Sequence, residues 1–166
     1  DSAEAWAKSI GKLLAGKYPA ETLLLDYREI RPAGARLVGY GWLSQGDEAL
    51  ARAYRAITGL LNRKAGTLLS RIDILDILNH LGTILSTRRS AEIALLNYGE
   101  PEWYEFSNAK RDYWKSNPQR AQSNNSLVFY SRPDRSTITN LMDAIVESGG
   151  SEPGLINGQS ALLRAP

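Results

Sequence analysis

The sequence predicts an α/β protein in which short strands alternate with helices. Three observations carry that expectation. Short apolar runs bounded by turn residues occur at 22–25, 91–96 and 126–130. Between them, apolar residues recur at helical spacing, and Gly and Pro punctuate the joins. With 43% apolar and 23% charged residues in 166, the chain has material for a core but no disorder-like charge excess.

In order, Ser2 caps a first helix, with Glu4 near the positive end of its dipole and Trp6, Ile10, Leu13 and Leu14 on one side. Gly16 ends it. The run Thr22-Leu23-Leu24-Leu25 reads as a buried strand, as in a sheet covered on both faces. A second short strand is expected at 37–40, before a Gly-rich loop at 39–46. Asp47 opens a long helix with Leu50, Tyr54, Ile57, Leu60 and Leu61 on one stripe. Ser70 caps the next, with Asp73 completing a shortened capping box. Ile72, Leu75, Ile77, Leu78, Leu81 and Ile84 make that helix apolar over a wide arc, so it is expected to be well buried. A strand at 91–96 follows, then short helices and loops over 99–120. A strand at 126–130 comes next, then a helix at 137–147 with Ile138, Leu141, Met142 and Ile145 inward. Gly149 and Gly150 end that helix, and Leu155-Ile156 forms a last strand. Residues 158–166 offer no ending of their own, so the natural chain is expected to continue.

Composition excludes several classes. There is no cysteine, hence no disulfide framework and no cysteine metal site. One histidine, His80, cannot build a histidine metal cluster. A net charge of +2 with both signs mixed is a weak argument for nucleic acid, which usually demands a basic stripe, so that partner is disfavoured rather than excluded. No apolar run is long enough to span a bilayer, and Asp1 to Ile10 lacks the pattern of a signal peptide, so no membrane and a cytoplasmic setting are expected.

Five stretches together resemble the adenosylcobalamin-dependent, or class II, ribonucleotide reductases. They are Asp1-Ser2-Ala3-Glu4-Ala5-Trp6, Ile30-Arg31-Pro32-Ala33-Gly34-Ala35, Arg88-Arg89-Ser90-Ala91-Glu92-Ile93-Ala94-Leu95, Ser123-Asn124-Asn125-Ser126 and Glu152-Pro153-Gly154-Leu155-Ile156-Asn157. Each is short, but their order and separations span nearly the whole chain. The resemblance implies a middle segment, 1–166, of the reductase catalytic domain, incomplete at both ends. The fold implied is part of a ten-stranded α/β barrel. The family replaces the ribose 2′-hydroxyl of ribonucleotides by hydrogen through a thiyl radical that adenosylcobalamin starts, which supplies DNA precursors. The cysteines this needs are not in the chain. By resemblance an Asn-Pro-Cys-Gly-Glu loop would follow soon after Pro166, and one member of the reducing pair would precede Asp1. Adenosylcobalamin is therefore a cofactor of the complete enzyme and is not expected to bind this segment alone. No catalytic residue and no metal ligand is assigned here.

In the family such a segment carries the site where a deoxynucleoside triphosphate (dNTP) effector sets substrate choice. The matching positions are Asp1, Ser2, Arg31, the loop 39–46 and the loop 85–91, which contains Ser86, Thr87, Arg88 and Arg89. Guanidinium forks suit a triphosphate, and a Gly-rich loop admits close backbone approach. Asn124 and Asn125 are substrate-side candidates. The sequence departs from the family at both loops: Ile84-Leu85-Ser86-Thr87 lacks a glycine, and Gly39-Tyr40-Gly41-Trp42-Leu43-Ser44-Gln45-Gly46 replaces a Gly-Gly-Thr-Ala-Ser-Gly form. The partners implied are the remainder of the reductase chain, the effector and a ribonucleotide substrate.

Each residue also has a plainer reading. Arg88 and Arg89 suit a solvated helix end. His80 on an apolar helix fits a satisfied core position. Trp103, Tyr104 and Trp114 could stack bases beside nearby cations, but aromatic residues more often pack. Asn124-Asn125 also reads as a strand-entry turn, and Glu152-Pro153-Gly154 as a turn before a strand. The competing functions are a non-enzymatic nucleotide-binding regulatory or interaction module and, with less support, a nucleic-acid-binding domain.

Overall fold

A computed structural model describes residues 1–16, 22–38, 43–85 and 92–165. Residues cluster into two compact units, Asp1–Thr67 with Thr83–Arg89, and Leu68–Gly82 with Ser90–Pro166.

The first unit contains α1 (Ala3–Ala15) and α2 (Gly46–Arg63). Ser2 caps α1 by accepting the Ala5 N–H at 3.1 Å, and Gly16 closes it in the left-handed region at φ 54°. Along α2 the apolar stripe is buried: Leu50, Ala53, Tyr54, Ile57 and Leu60 lie inward at helical spacing. The Tyr54 hydroxyl meets Ser9 Oγ of α1 at 2.6 Å, and Tyr27 packs edge-on against Tyr54 at 6.4 Å. Residues 22–27 form no strand, contrary to expectation, and Leu24 is 89% exposed. The 37–40 strand is not seen at 37–38 either; an isolated antiparallel bridge joins Arg36 to Leu43 instead, and 39–40 lie outside the described residues.

The second unit is built on a parallel sheet of β1 (Glu92–Asn97), β2 (Ser123–Phe129) and β3 (Gly154–Asn157), in the order β1-β2-β3. Leading into it is α3 (Arg71–Leu85), which opens on the expected capping box. Ser70 N–H donates to Asp73 Oδ2 at 2.8 Å and Asp73 N–H to Ser70 Oγ at 3.0 Å. Between β1 and β2 lie α4 (Trp103–Ser107), α5 (Tyr113–Ser116) and a 3-10 turn (Pro118–Gln122), and α6 (Arg135–Ser148) connects β2 to β3. Asp134 caps α6 and Gly149 ends it. A helix not anticipated, α7 (Gly158–Arg164), starts directly from β3, with Asn157 Oδ1 accepting the Ser160 N–H at 3.0 Å.

Register and alternation place the core on one face of this sheet. Leu96 stands beside Leu127, and Leu127 beside Leu155. With Phe129 they pack against Leu75 of α3, Phe106 of α4 and Leu141 of α6. The opposite face carries Ile93 and Leu95, 70% and 55% exposed. β1 is thus covered on one face only. Leu78 of α3 and Met142 of α6, also expected inward, are about half exposed (47% and 45%).

Candidate functional site

Arg31 is the residue around which the first unit's polar groups converge. Its backbone N–H and its Nε both donate to Asp1 Oδ2, at 3.0 and 2.6 Å, and Nη2 donates to the Asp1 carbonyl at 3.1 Å. The other carboxylate oxygen, Asp1 Oδ1, accepts the indole N–H of Trp6 at 2.8 Å. The Asp1 carboxylate is thus engaged on both oxygens, and its side chain is 11% exposed against 38% for Arg31.

The backbone under Arg31 is fixed from a second segment. Ser44 Oγ donates to the Arg31 carbonyl at 3.1 Å and accepts the Gly46 N–H at 3.0 Å. Gly34 N–H donates to the Ser44 carbonyl at 2.9 Å, and Ser44 N–H to the Ala35 carbonyl at 2.7 Å. Gly46 has φ 79°, and a Cβ there would sit 3.0 Å from Ala33 N, so glycine is required where the two segments meet.

Asp1 and Arg31, both expected at the effector site, are brought together and bonded to each other. Ser2 is adjacent, with its hydroxyl used on the α1 cap. Ser86, Thr87, Arg88 and Arg89, with most of the loop 85–91 and residues 39–42 of the first loop, lie outside the described residues. Trp6 and Ser44 were not singled out for this role. In the sequence Trp6 falls on an apolar stripe, and Ser44 carries no signal apart from its place in the loop.

In the second unit Asn124 is exposed and Asn125 is buried. The Asn125 side chain is turned inward, where its Oδ1 accepts Ser123 Oγ at 2.9 Å. Its N–H donates to Glu152 Oε2 at 3.1 Å, and Glu152 Oε1 pairs with Lys110 Nζ at 2.8 Å. Lys110 also donates to the Ser123 carbonyl at 2.7 Å. Glu152 thus ties the approach to β3 onto β2, a job beyond the simple turn its sequence suggested. A second ion pair, Arg120 with both oxygens of Asp76 at 2.7 Å, holds the turn before β2 to α3. His80, on α3, is pushed below its ordinary pKa by burial, partly offset by Asp76. Burial raises the Glu92 carboxyl at the start of β1.

Among the described residues no group of three or more His, Cys, Asp and Glu could hold a metal ion, and no helix is long and apolar enough to cross a membrane.

Fold and site together define an α/β protein with a parallel sheet wound in one direction and an arginine-centred polar cluster. Sequence comparison then places it. It is 32% identical to the adenosylcobalamin-dependent ribonucleoside-triphosphate reductase of Lactobacillus gasseri, over 95% of this chain and 21% of the relative. The corresponding reductase of Lactobacillus delbrueckii subsp. bulgaricus is 34% identical over 95% of this chain and 22% of its own length. A probable reductase of the same kind from Dictyostelium discoideum is 32% identical over 93% of this chain and 20% of its own. Over nearly all its length the chain is homologous to adenosylcobalamin-dependent ribonucleotide reductases, and it spans about a fifth of the length of these relatives. No family model matches the chain, and no solved structure matches it significantly.

Proposed function

We propose that the chain is a segment of the catalytic α/β barrel of an adenosylcobalamin-dependent ribonucleotide reductase, and that its Arg31 region belongs to the dNTP effector site. The observation that carries the first half is the similarity to reductases over 95% of the chain. The sheet supports it. Sequential parallel strands joined through helices, in the order β1-β2-β3, are the repeating unit of a barrel wall, whereas a doubly wound sheet reverses its strand order. The exposed Ile93 and Leu95 would then face a barrel interior, and the strands at either side would come from the rest of the reductase chain.

The chain has no cysteine, so the thiyl chemistry belongs to the remainder of the enzyme. Adenosylcobalamin would supply the radical there. No residue here is assigned to the cofactor, and the one histidine, His80, is partly buried on α3. What this segment offers is recognition. Arg31 presents a guanidinium and a backbone N–H to one acceptor, which is chemistry for a phosphate oxygen. A cytoplasmic enzyme acting on ribonucleoside triphosphates is the expected setting.

Calorimetry with dNTPs tests the effector half. Arg31→Ala is expected to cost about 1.5–3 kcal/mol of affinity, the range for a charge-assisted hydrogen bond. Unchanged affinity would remove Arg31 from the site.

A further inference from the structure

We infer that one ordered water is built into the core between α3 and β2, accepting a hydrogen bond from Asn125 Nδ2 and donating to Asn79 Oδ1 and Ser123 Oγ.

Asn79 is fully buried on α3, at 0% exposure. Its Nδ2 donates to the Leu75 carbonyl one turn back at 2.8 Å, and because a carbonyl only accepts, that bond fixes which end of the amide is oxygen. The oxygen, Oδ1, is buried with no hydrogen-bond partner among the described residues. An unmet buried acceptor is costly, and native cores avoid it.

Direction and spacing give the surroundings of Oδ1. α3 runs against the strands. Arg71 at its start is bonded to Glu100, Pro101 and Glu102, just after β1, whereas Asp76 further along is bonded to Gln119 and Arg120, just before β2. Leu75 and Leu127 belong to one packed cluster. From Leu75, Asn79 is about 6 Å further along the helix and turned about 40° toward the side of Asp76. From Leu127, Asn125 is two residues back, about 7 Å along the strand and on the same face of the sheet. Both steps lead toward the amino ends of the strands, so the two amides face each other beyond the apolar cluster. The buried polar side chains Asn79, Gln119, Ser123 and Asn125 all gather at this end.

Ser123 Oγ donates to Asn125 Oδ1 at 2.9 Å and the Asn125 backbone N–H donates to Glu152, so Asn125 Nδ2 is used in neither bond. The layer therefore offers an acceptor on α3, a donor on β2 and a lone pair on Ser123 Oγ. A water meets all three, and about three bonds is usual for a buried one. Full burial of Asn79 excludes a larger donor from outside. Apolar surfaces slide on each other at little cost, whereas a directional bridge holds α3 at one register on the sheet.

Asn79→Leu in the full chain separates a bridged oxygen from a merely unpaired one. An unpaired Oδ1 would be relieved by leucine, and stability would rise. With the water in place, leucine expels it and strands Asn125 Nδ2, so the folding equilibrium constant from urea unfolding should fall about tenfold. Adding Asn125→Leu should then cost less than the product of the two single effects, because the bridge is already gone. A crystal structure of the wild-type chain carries the test if these variants do not fold. Density for one water within about 2.7–3.2 Å of both Asn79 Oδ1 and Asn125 Nδ2 is expected. Unchanged or raised stability in Asn79→Leu, strict additivity in the double variant, a direct Asn79–Asn125 bond, or no density beside Oδ1 would each overturn the inference.

Discussion

Glu152→Ala tests how the β2–β3 pairing is secured. Glu152 and Lys110 are 18% and 15% exposed in their side chains, so each has given up most of its hydration for the other. Glu152 Oε2 also accepts the Asn125 N–H just before β2 and β3 begin to pair at Ser126 and Gly154. Truncation leaves Lys110 bonded to the Ser123 carbonyl alone among these partners, and leaves the Asn125 N–H unsatisfied. Removing one partner of a buried ion pair costs about 3–5 kcal/mol, and most of that is the stranded charge. Partial exposure puts the expectation at the lower end, about 3 kcal/mol. Urea unfolding measures it, and hydrogen exchange at the β2 amides locates it. Replacing both residues, Lys110→Met with Glu152→Leu, should restore much of the loss, because neither charge is then stranded. A loss under about 1 kcal/mol for Glu152→Ala would place the pair with solvent-screened surface bridges and refute the reasoning.

Two further perturbations follow from single contacts. At Gly158 an added Cβ would lie 2.7 Å from the Tyr130 ring and 2.8 Å from Val128, so Gly158→Ala should cost about 1–3 kcal/mol in urea unfolding, as overpacking does. His80 has a depressed folded-state pKa, so the unfolded chain binds more protons as pH falls below its ordinary value near 6.5. Stability is therefore expected to be full above that value and to decline below it. Urea midpoints at pH 7.5 and 5.5 should differ in the wild type and differ less in His80→Gln; an equal slope in both would exclude His80 as the cause.

Features set by local chemistry were legible in the sequence. The Ser2 and Ser70 caps, the Asp73 partner and the terminal Gly16 and Gly149 all act within a few residues, and each is found in place. Strands form where the runs at 91–96 and 126–130 lie, because each has a partner strand in register; β2 begins earlier, at Ser123, so Asn124 and Asn125 are strand and not the turn at its entry. The equally apolar 22–25 has none among the described residues, and a sequence pattern cannot supply a partner. Leu78 and Met142 continue helical stripes beyond the arc that α3 and α6 bury, so periodicity overcounts the core. The helix α7 was missed because it is short and begins at once from β3, although Asn157 is a good cap. At the candidate site, resemblance named Asp1 and Arg31, which stand 30 residues apart. That they bond to each other, with Trp6 and Ser44 completing the cluster, is a fact of folding that no local pattern carries.

As the proposed counterpart of the matching fifth of a reductase, this chain should work in that fifth's place. The direct measurement is a chimera in which the chain replaces the corresponding segment of the Lactobacillus gasseri relative, assayed for ribonucleoside triphosphate reduction with adenosylcobalamin. Deoxynucleotide formation well above background is expected, with an effector response that Arg31→Ala in the chimera diminishes. A chimera that melts as cooperatively as the parent enzyme yet forms no deoxynucleotide would contradict it.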